Sequence, residues 1–143
     1  MSSRDVIALI GNIQERAHRF IQRELDARGL HGLTPSHGAT LSALFRDDEM
    51  RMSELSERIR RDRSTVTTLV RKLEALGYVT REQDSSDGRV FRVRLTESGR
   101  ALEPAFREIS DEMLQRTYRG YGESEKAELI AHLERVVGNW EKG

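Results

Sequence analysis

Apolar residues at Val6, Ile10, Ile13, Ala17, Phe20, Ile21 and Leu25 recur every three or four positions, which predicts an amphipathic helix from Asp5 to about Arg28. The stretch "RGLHGL" ends it. Thr34 followed by Pro35 is a start signal, a hydroxyl cap with proline at the first helical position, for a second helix through Ala39, Leu41, Leu44 and Phe45. "RDDEM" reads as a polar break, after which Ser53 caps a short helix with Leu55 and Ile59 inward. Asp62 caps the next helix, which runs to Leu76 and stops at Gly77, a residue suited to the left-handed conformation past a helix end. Two short helices are thus joined by a tight turn.

After Gly77 the period shifts from three-and-four to two. Phe91, Val93 and Leu95 alternate with Arg92 and Arg94, the pattern of a strand with one wet face, and "YVTREQ" is its expected antiparallel partner across the tip "DSSDG". Thr96 then begins the helical stretch "TESGRALEPAFREISDEMLQRTYR". "GYG" separates it from a last helix carrying Leu129, Leu133, Val136, Val137 and Trp140. The reading is mainly α with a small β-hairpin.

A chain of 143 residues suits one ordinary domain, or one small domain with long appended helices. Hydrophobic residues at 36%, charged residues at 34% and only two prolines point to a soluble, helix-rich protein. The longest apolar run is "VIALI", too short for a membrane span or a signal-peptide core, so a cytoplasmic protein with no membrane partner is expected. The absence of cysteine excludes disulfides, thiolate metal sites and cysteine nucleophiles. Net charge is zero, yet Arg51 to Arg100 holds 12 basic and 8 acidic residues, while the remainder holds 12 and 16. The middle of the chain is basic and its flanks acidic.

That basic middle contains a distinctive helix. On a helical wheel Val66, Leu69, Val70, Leu73 and Leu76 share one arc, with Ser64, Thr67, Thr68, Arg71 and Ala75 opposite. Short hydroxylated side chains let a helix backbone approach a nucleic-acid groove closely, and an arginine among them can reach a guanine edge. By itself the face would equally suit an ordinary surface helix. A capped helix, a tight turn, this second helix and a basic hairpin together form a winged helix-turn-helix pattern, whose second helix enters the major groove. At the hairpin tip, Arg89 can project outward with Asp87 holding its guanidinium, and a held arginine fits a narrow minor groove.

The segment from Leu33 to Leu102, above all "DRSTVTTLVRKLEALGYV", the wing "DSSDGR" and "LTESGRAL", resembles the MarR family of transcription regulators. The resemblance implies a homodimer whose first and last helices interlock, with two winged lobes on a pseudopalindromic double-stranded DNA site. It implies that Ser64, Thr65, Thr67, Thr68 and Arg71, with Arg63, meet the major groove. Arg89, oriented by Asp87, would enter the minor groove, and Ser53 and Arg81 would touch phosphate. Many members are repressors released by a small aromatic or phenolic effector. The expected division is an N-terminal dimerisation helix at 1–33, a winged lobe at 34–100 and C-terminal dimerisation helices at 101–143.

Two places depart from the family pattern. Arg60 and Arg61 stand where it usually has a glycine and then an aliphatic residue, and one of these arginines is expected to point to DNA phosphate. Gly38 lies inside the second helix, where members often carry a bulky aromatic, so a wider cleft and a ligand pocket are expected near His37 and Gly38.

Other constellations carry less. His18, His31, His37 and His132 stand in no tight ligand spacing, so no metal is expected, nor any cofactor. Asp47, Asp48 and Glu49 precede a helix start, where negative charge favours the helix dipole. No nucleophile elbow or phosphate loop occurs, so no enzyme is expected. The reading is a sequence-specific DNA-binding regulator, a ligand-responsive repressor, set against a winged-helix module for a protein or small molecule that has lost DNA.

Overall fold

In the computed structural model, which describes residues 1–142, a short 3-10 turn at Ser3–Asp5 leads into α1 (Val6–Ala27). The apolar stripe of α1 divides along its length. Phe20 and Leu25 are buried, Ile10, Ala17 and Ile21 are half-buried, and Val6, Ile7, Leu9 and Ile13 are exposed. The Gln22 amide donates to the Leu33 carbonyl at 2.9 Å, tying α1 to the chain entering α2 (Pro35–Asp47). Thr34 is extended, Pro35 opens the helix, and the Thr34 N–H donates to Nδ1 of His37 at 3.0 Å. Leu41 and Leu44 are fully buried, as expected; Ala39, expected inward, is exposed, while His37, Gly38 and Thr40 face the core.

The polar stretch after α2 is not a simple break. It holds β1 (Glu49–Arg51), which runs straight into α3 (Met52–Ile59). The N-cap of α3 is Arg51 and not Ser53, since strand gives way to helix without a loop and the Arg51 N–H donates to Glu54 Oε1 at 3.1 Å. Leu55 is fully buried and Ile59 half-buried. Of the acids expected to favour a helix start, Asp47 and Asp48 instead close α2 and Glu49 opens β1, and each meets an arginine: Asp47 with Arg58 at 3.0 Å, Asp48 with Arg100 at 2.6 Å, and Glu49 with Arg92 at 3.3 Å.

Asp62 caps α4 (Arg63–Ala75), which buries Val66, Leu69, Val70 and Leu73. Leu76 lies beyond the last turn and is 42% exposed, because the chain swings away at Gly77 with φ of 83°. β2 (Val79–Gln83) and β3 (Phe91–Leu95) pair antiparallel, Val79 opposite Leu95 and Arg81 opposite Val93. β1 adds to the other edge of β3, so the expected hairpin is a three-stranded sheet in the order β1-β3-β2. Met50, Val79, Val93 and Leu95 turn into the core.

The single helix expected after Thr96 is two, α5 (Glu97–Arg100) and α6 (Glu103–Thr117). Pro104 has no N–H to offer the Arg100 carbonyl, which breaks the ladder between them. Phe106 and Ile109 of α6 are buried. The chain forms two compact units, Met1–Ser110 and a second beginning at Asp111. In the second, Tyr118 and Tyr121 pack edge to face with ring centres 6.2 Å apart. α7 (Glu123–Glu141) buries no side chain among the described residues. No helix of the described residues is long and apolar enough to cross a membrane.

Candidate nucleic-acid interface

The buried stripe of α4 fixes which of its residues face outward. Arg63, Ser64, Thr68 and Arg71 are exposed, and Thr65 and Thr67 are half-exposed. The helix starts at Arg63 because Asp62 accepts the Thr65 N–H at 2.7 Å and the Ser64 hydroxyl at 2.9 Å. These bonds, the Thr65 amide first, hold the Asp62 carboxyl below its ordinary range. The one acid at this end of α4 is thus committed to the helix terminus. The Thr67 hydroxyl donates to the Arg63 carbonyl at 2.8 Å and the Thr68 hydroxyl to the Ser64 carbonyl at 3.1 Å. Arg63 and Arg71 form no ion pair among the described residues, and both can reach outward.

At the wing, residues 84–90 form a loop closed by the Asp84 N–H on the Val90 carbonyl at 2.7 Å. Asp87 accepts the Arg89 N–H at 3.0 Å and Nε at 3.3 Å, with Nη2 3.5 Å from its other oxygen. The Arg89 side chain, gripped at its root, is 91% exposed. The fork expected from the sequence is present.

The base of the wing holds what the sequence reading missed. Register places Arg51 directly opposite Arg92, a like-charge pair that is unfavourable unless neutralised. Asp84 neutralises it, with Oδ2 3.5 Å from Arg51 and 3.4 Å from Arg92, and its side chain is only 5% exposed. The Ser86 hydroxyl and amide bind its other oxygen at 2.7 and 2.9 Å. These two bonds, followed by the charges of Arg92 and Arg51, hold the Asp84 carboxyl below its ordinary range. Glu49 accepts from Arg94 Nε at 2.9 Å beside this cluster. No periodicity could announce it, since a three-residue strand is too short to show one.

The remaining expected residues lie on other elements. Arg81 turns to the inner side of the sheet, where its Nε donates to Glu74 of α4 at 3.3 Å and its guanidinium lies 5.8 Å from the Phe91 ring centre. Ser53 is exposed in the first turn of α3. Arg60 takes the left-handed conformation, φ 56° and ψ 49°, which a glycine would adopt without strain. Arg61 donates from Nη2 to the Ser36 hydroxyl at 3.1 Å.

The expected wider cleft at Gly38 is absent. A Cβ on Gly38 would lie 3.2 Å from Cε1 of Phe106, whose buried ring takes the space and leans on Phe45 with centres 5.9 Å apart. His37 is likewise buried; burial, and secondarily Lys72, pushes its pKa down, so the neutral ring accepts from Thr34 as a structural cap. Open space lies beside it, in a recess of about 300 Å³ lined by Gln14, His18, Pro35, Ser36, Ala39, Ile59, Arg60 and Arg61, and in a shallower one of about 460 Å³ along α1 that shares Gln14, His18 and Pro35. No group of three or more His, Asp or Glu among the described residues is placed to hold a metal.

Comparisons with known proteins agree with this geometry. The sequence profile of the MarR family matches residues 33–91. The HTH-type transcriptional regulator SarZ of Staphylococcus haemolyticus (strain JCSC1435) is 31% identical over 109 residues, 76% of this chain and 73% of that protein. A MarR transcriptional regulator from Methanosarcina mazei Go1 superposes with a TM-score of 0.82 at 26% identity, covering 98% of this chain and 99% of that one. The MepR–DNA complex of S. aureus gives 0.83 at 25% identity, covering 97% and 98%. A capped, acid-poor α4, a wing with a held arginine and these relatives lead to one conclusion: the chain belongs to the MarR family and is a DNA-binding transcriptional regulator.

Proposed function

We propose that two copies of the chain pair through their terminal helices and bind a pseudopalindromic operator, repressing transcription in the cytoplasm by occluding it. α4 lies in the major groove of each half-site, with Ser64, Thr65, Thr67, Thr68, Arg63 and Arg71 toward base edges and phosphates, and Arg89 enters the neighbouring minor groove. The observation that carries this reading is the face of α4 together with the wing tip. Asp62 is tied up at the helix start and Asp87 grips the root of Arg89, while three arginines, Arg63, Arg71 and Arg89, stand exposed. The structure of MepR bound to DNA supports the same partner here.

Ser53 and Arg61 are assigned to phosphate. Arg61 sits beside Ser36 at the start of α2, and losing one phosphate contact reduces the salt slope of binding by about 0.9. Arg61→Ala is therefore expected to flatten the slope by that amount, and an unchanged slope removes Arg61 from the interface. Arg81, held by Glu74 and Phe91, positions the wing and does not touch DNA.

An aromatic or phenolic effector is assigned to the recess beside Pro35 and Ser36 in place of Gly38. It acts by binding DNA-competent and incompetent arrangements unequally, since equal affinity shifts nothing. The experiment that tests the function measures affinity for duplexes selected from a random pool against random duplex, across a salt series. Selected sites should bind at least a thousandfold tighter than random duplex, on the order of ordinary specific binding. Weak, sequence-independent binding would favour a module that serves a protein or small molecule instead.

A further inference from the structure

We infer that Thr67 and Thr68 read thymine through their methyl groups, so that the operator carries T·A pairs beneath this part of α4. The inference rests on the placement of α4 in the major groove proposed above.

A threonine facing DNA can offer a hydroxyl proton, a hydroxyl lone pair or a methyl group. Here the first is already spent. The Thr67 hydroxyl donates to the Arg63 carbonyl and the Thr68 hydroxyl to the Ser64 carbonyl, each one helical turn back. A hydroxyl turned back along its own helix leaves the methyl as the outward branch of the Cβ carbon. Thr68 is exposed and Thr67 half-exposed, so neither residue is covered over by its own chain. Ser64, which has no methyl, spends its proton on Asp62.

In the major groove only thymine presents a methyl group, and apolar contact with a threonine methyl is one of the ways it is distinguished. Guanine and adenine would meet these two positions with polar edges that must lose water against a hydrocarbon surface, and cytosine, with a C5–H beside its amino group, has no methyl to fill the contact. The hydroxyl oxygens can still accept a bond, which makes an amino group on adenine or cytosine the competing reading. The two readings predict opposite effects of the same substitutions.

The test uses the full chain and the duplex that wild-type protein recovers from a random pool. Each thymidine of the half-sites is replaced in turn by deoxyuridine, which lacks only the methyl. Thr67 and Thr68 are each changed to Val, which keeps the shape and methyl but removes the hydroxyl, and to Ser, which does the reverse. Val is β-branched like Thr, and melting curves verify that each variant is folded. Wild type should bind about fourfold more weakly when a contacted methyl is removed. Thr67→Val and Thr68→Val should keep their sensitivity to deoxyuridine at the same positions as wild type. Thr67→Ser and Thr68→Ser should lose about fourfold and become indifferent to deoxyuridine at one position each. Wild type indifferent to every replacement, or Val variants weakened where Ser variants are not, overturns the inference. Recovery of no preferred sequence overturns the major-groove placement beneath it, and is told apart by loss of all base preference.

Discussion

Arg60 shows how one side chain can record a compromise. Its left-handed backbone costs an L-residue about 1 kcal/mol or more, which a glycine would not incur. Arg60→Gly is expected to raise unfolding stability by roughly 0.5–1 kcal/mol, with an unchanged denaturant slope, in urea titration. Asp84 is the opposite case, a residue whose charge the wing needs. Its folded-state carboxyl is depressed, so the stability it contributes is present above the ordinary aspartate value of 3.8 and is lost as pH falls through the lower folded value. Asp84→Asn should melt below wild type at neutral pH, since Arg51 and Arg92 are left facing each other. The gap should close at acid pH. A gap that persists or widens on acidification would show that the carboxylate charge is not what holds the wing.

Among the elements, the three-stranded sheet matters most for the interface. Because β1 flanks β3, the wing is braced from both sides, by Glu49 and Arg51 on one and by Arg81 and Glu74 on the other. Its tip is therefore carried on a stiff base. The junction after β3 is equally constrained. Thr96 accepts the Gly99 N–H at 3.0 Å and donates to the Gly77 carbonyl at 2.6 Å, drawing α5 against the turn that follows α4. A Cβ on Gly99 would fall 2.1 Å from the Tyr78 carbonyl oxygen, a backbone atom fixed by the Thr96 N–H. Gly99→Ala should therefore cost about 2 kcal/mol or more, measured by chemical denaturation, despite the better helix propensity of alanine. Stability equal to wild type would mean that the α5 junction is looser than its geometry indicates.

For the whole molecule, the central question is what covers the exposed apolar side chains. Val6, Ile7 and Ile13 of α1 are 45%, 59% and 62% exposed. In the second unit Ile130, Leu133, Val137 and Trp140 are 45%, 44%, 40% and 75% exposed, spaced along one face of α7. Each stripe by itself is an apolar face without a cover in its own unit, and a second copy of the chain, as proposed above, would offer each of them a symmetric partner. Leu133→Glu should place a charge in that interface. If the proposed pairing holds, sedimentation shows wild type at twice the mass of this variant, and selected operator DNA should be bound about a hundredfold more weakly, the avidity lost when only one half-site is held at a time. A variant that stays dimeric would mean that α7 pairs through another face. The basic centre of a chain with zero net charge also predicts that DNA binding weakens steeply as salt rises.

The chain alone determined whatever depends on neighbours in sequence. The three-and-four spacing of α1 and α4, the Asp62 cap, the Gly77 stop, the two-residue alternation of β3 and the Asp87–Arg89 fork are local, because each needs partners only a few residues away. The tertiary structure decided what depends on residues far apart. It recruited Glu49–Arg51 into the sheet beside Arg92–Arg94, placed Asp84 between Arg51 and Arg92, and turned Arg81 inward. It also laid the Phe106 ring over Gly38 where open space was expected. A strand of three residues, the ion pair between Arg51 and the distant Asp84, and a ring filling a gap leave no periodic trace, since the contacts that create them exist only once the chain has closed on itself.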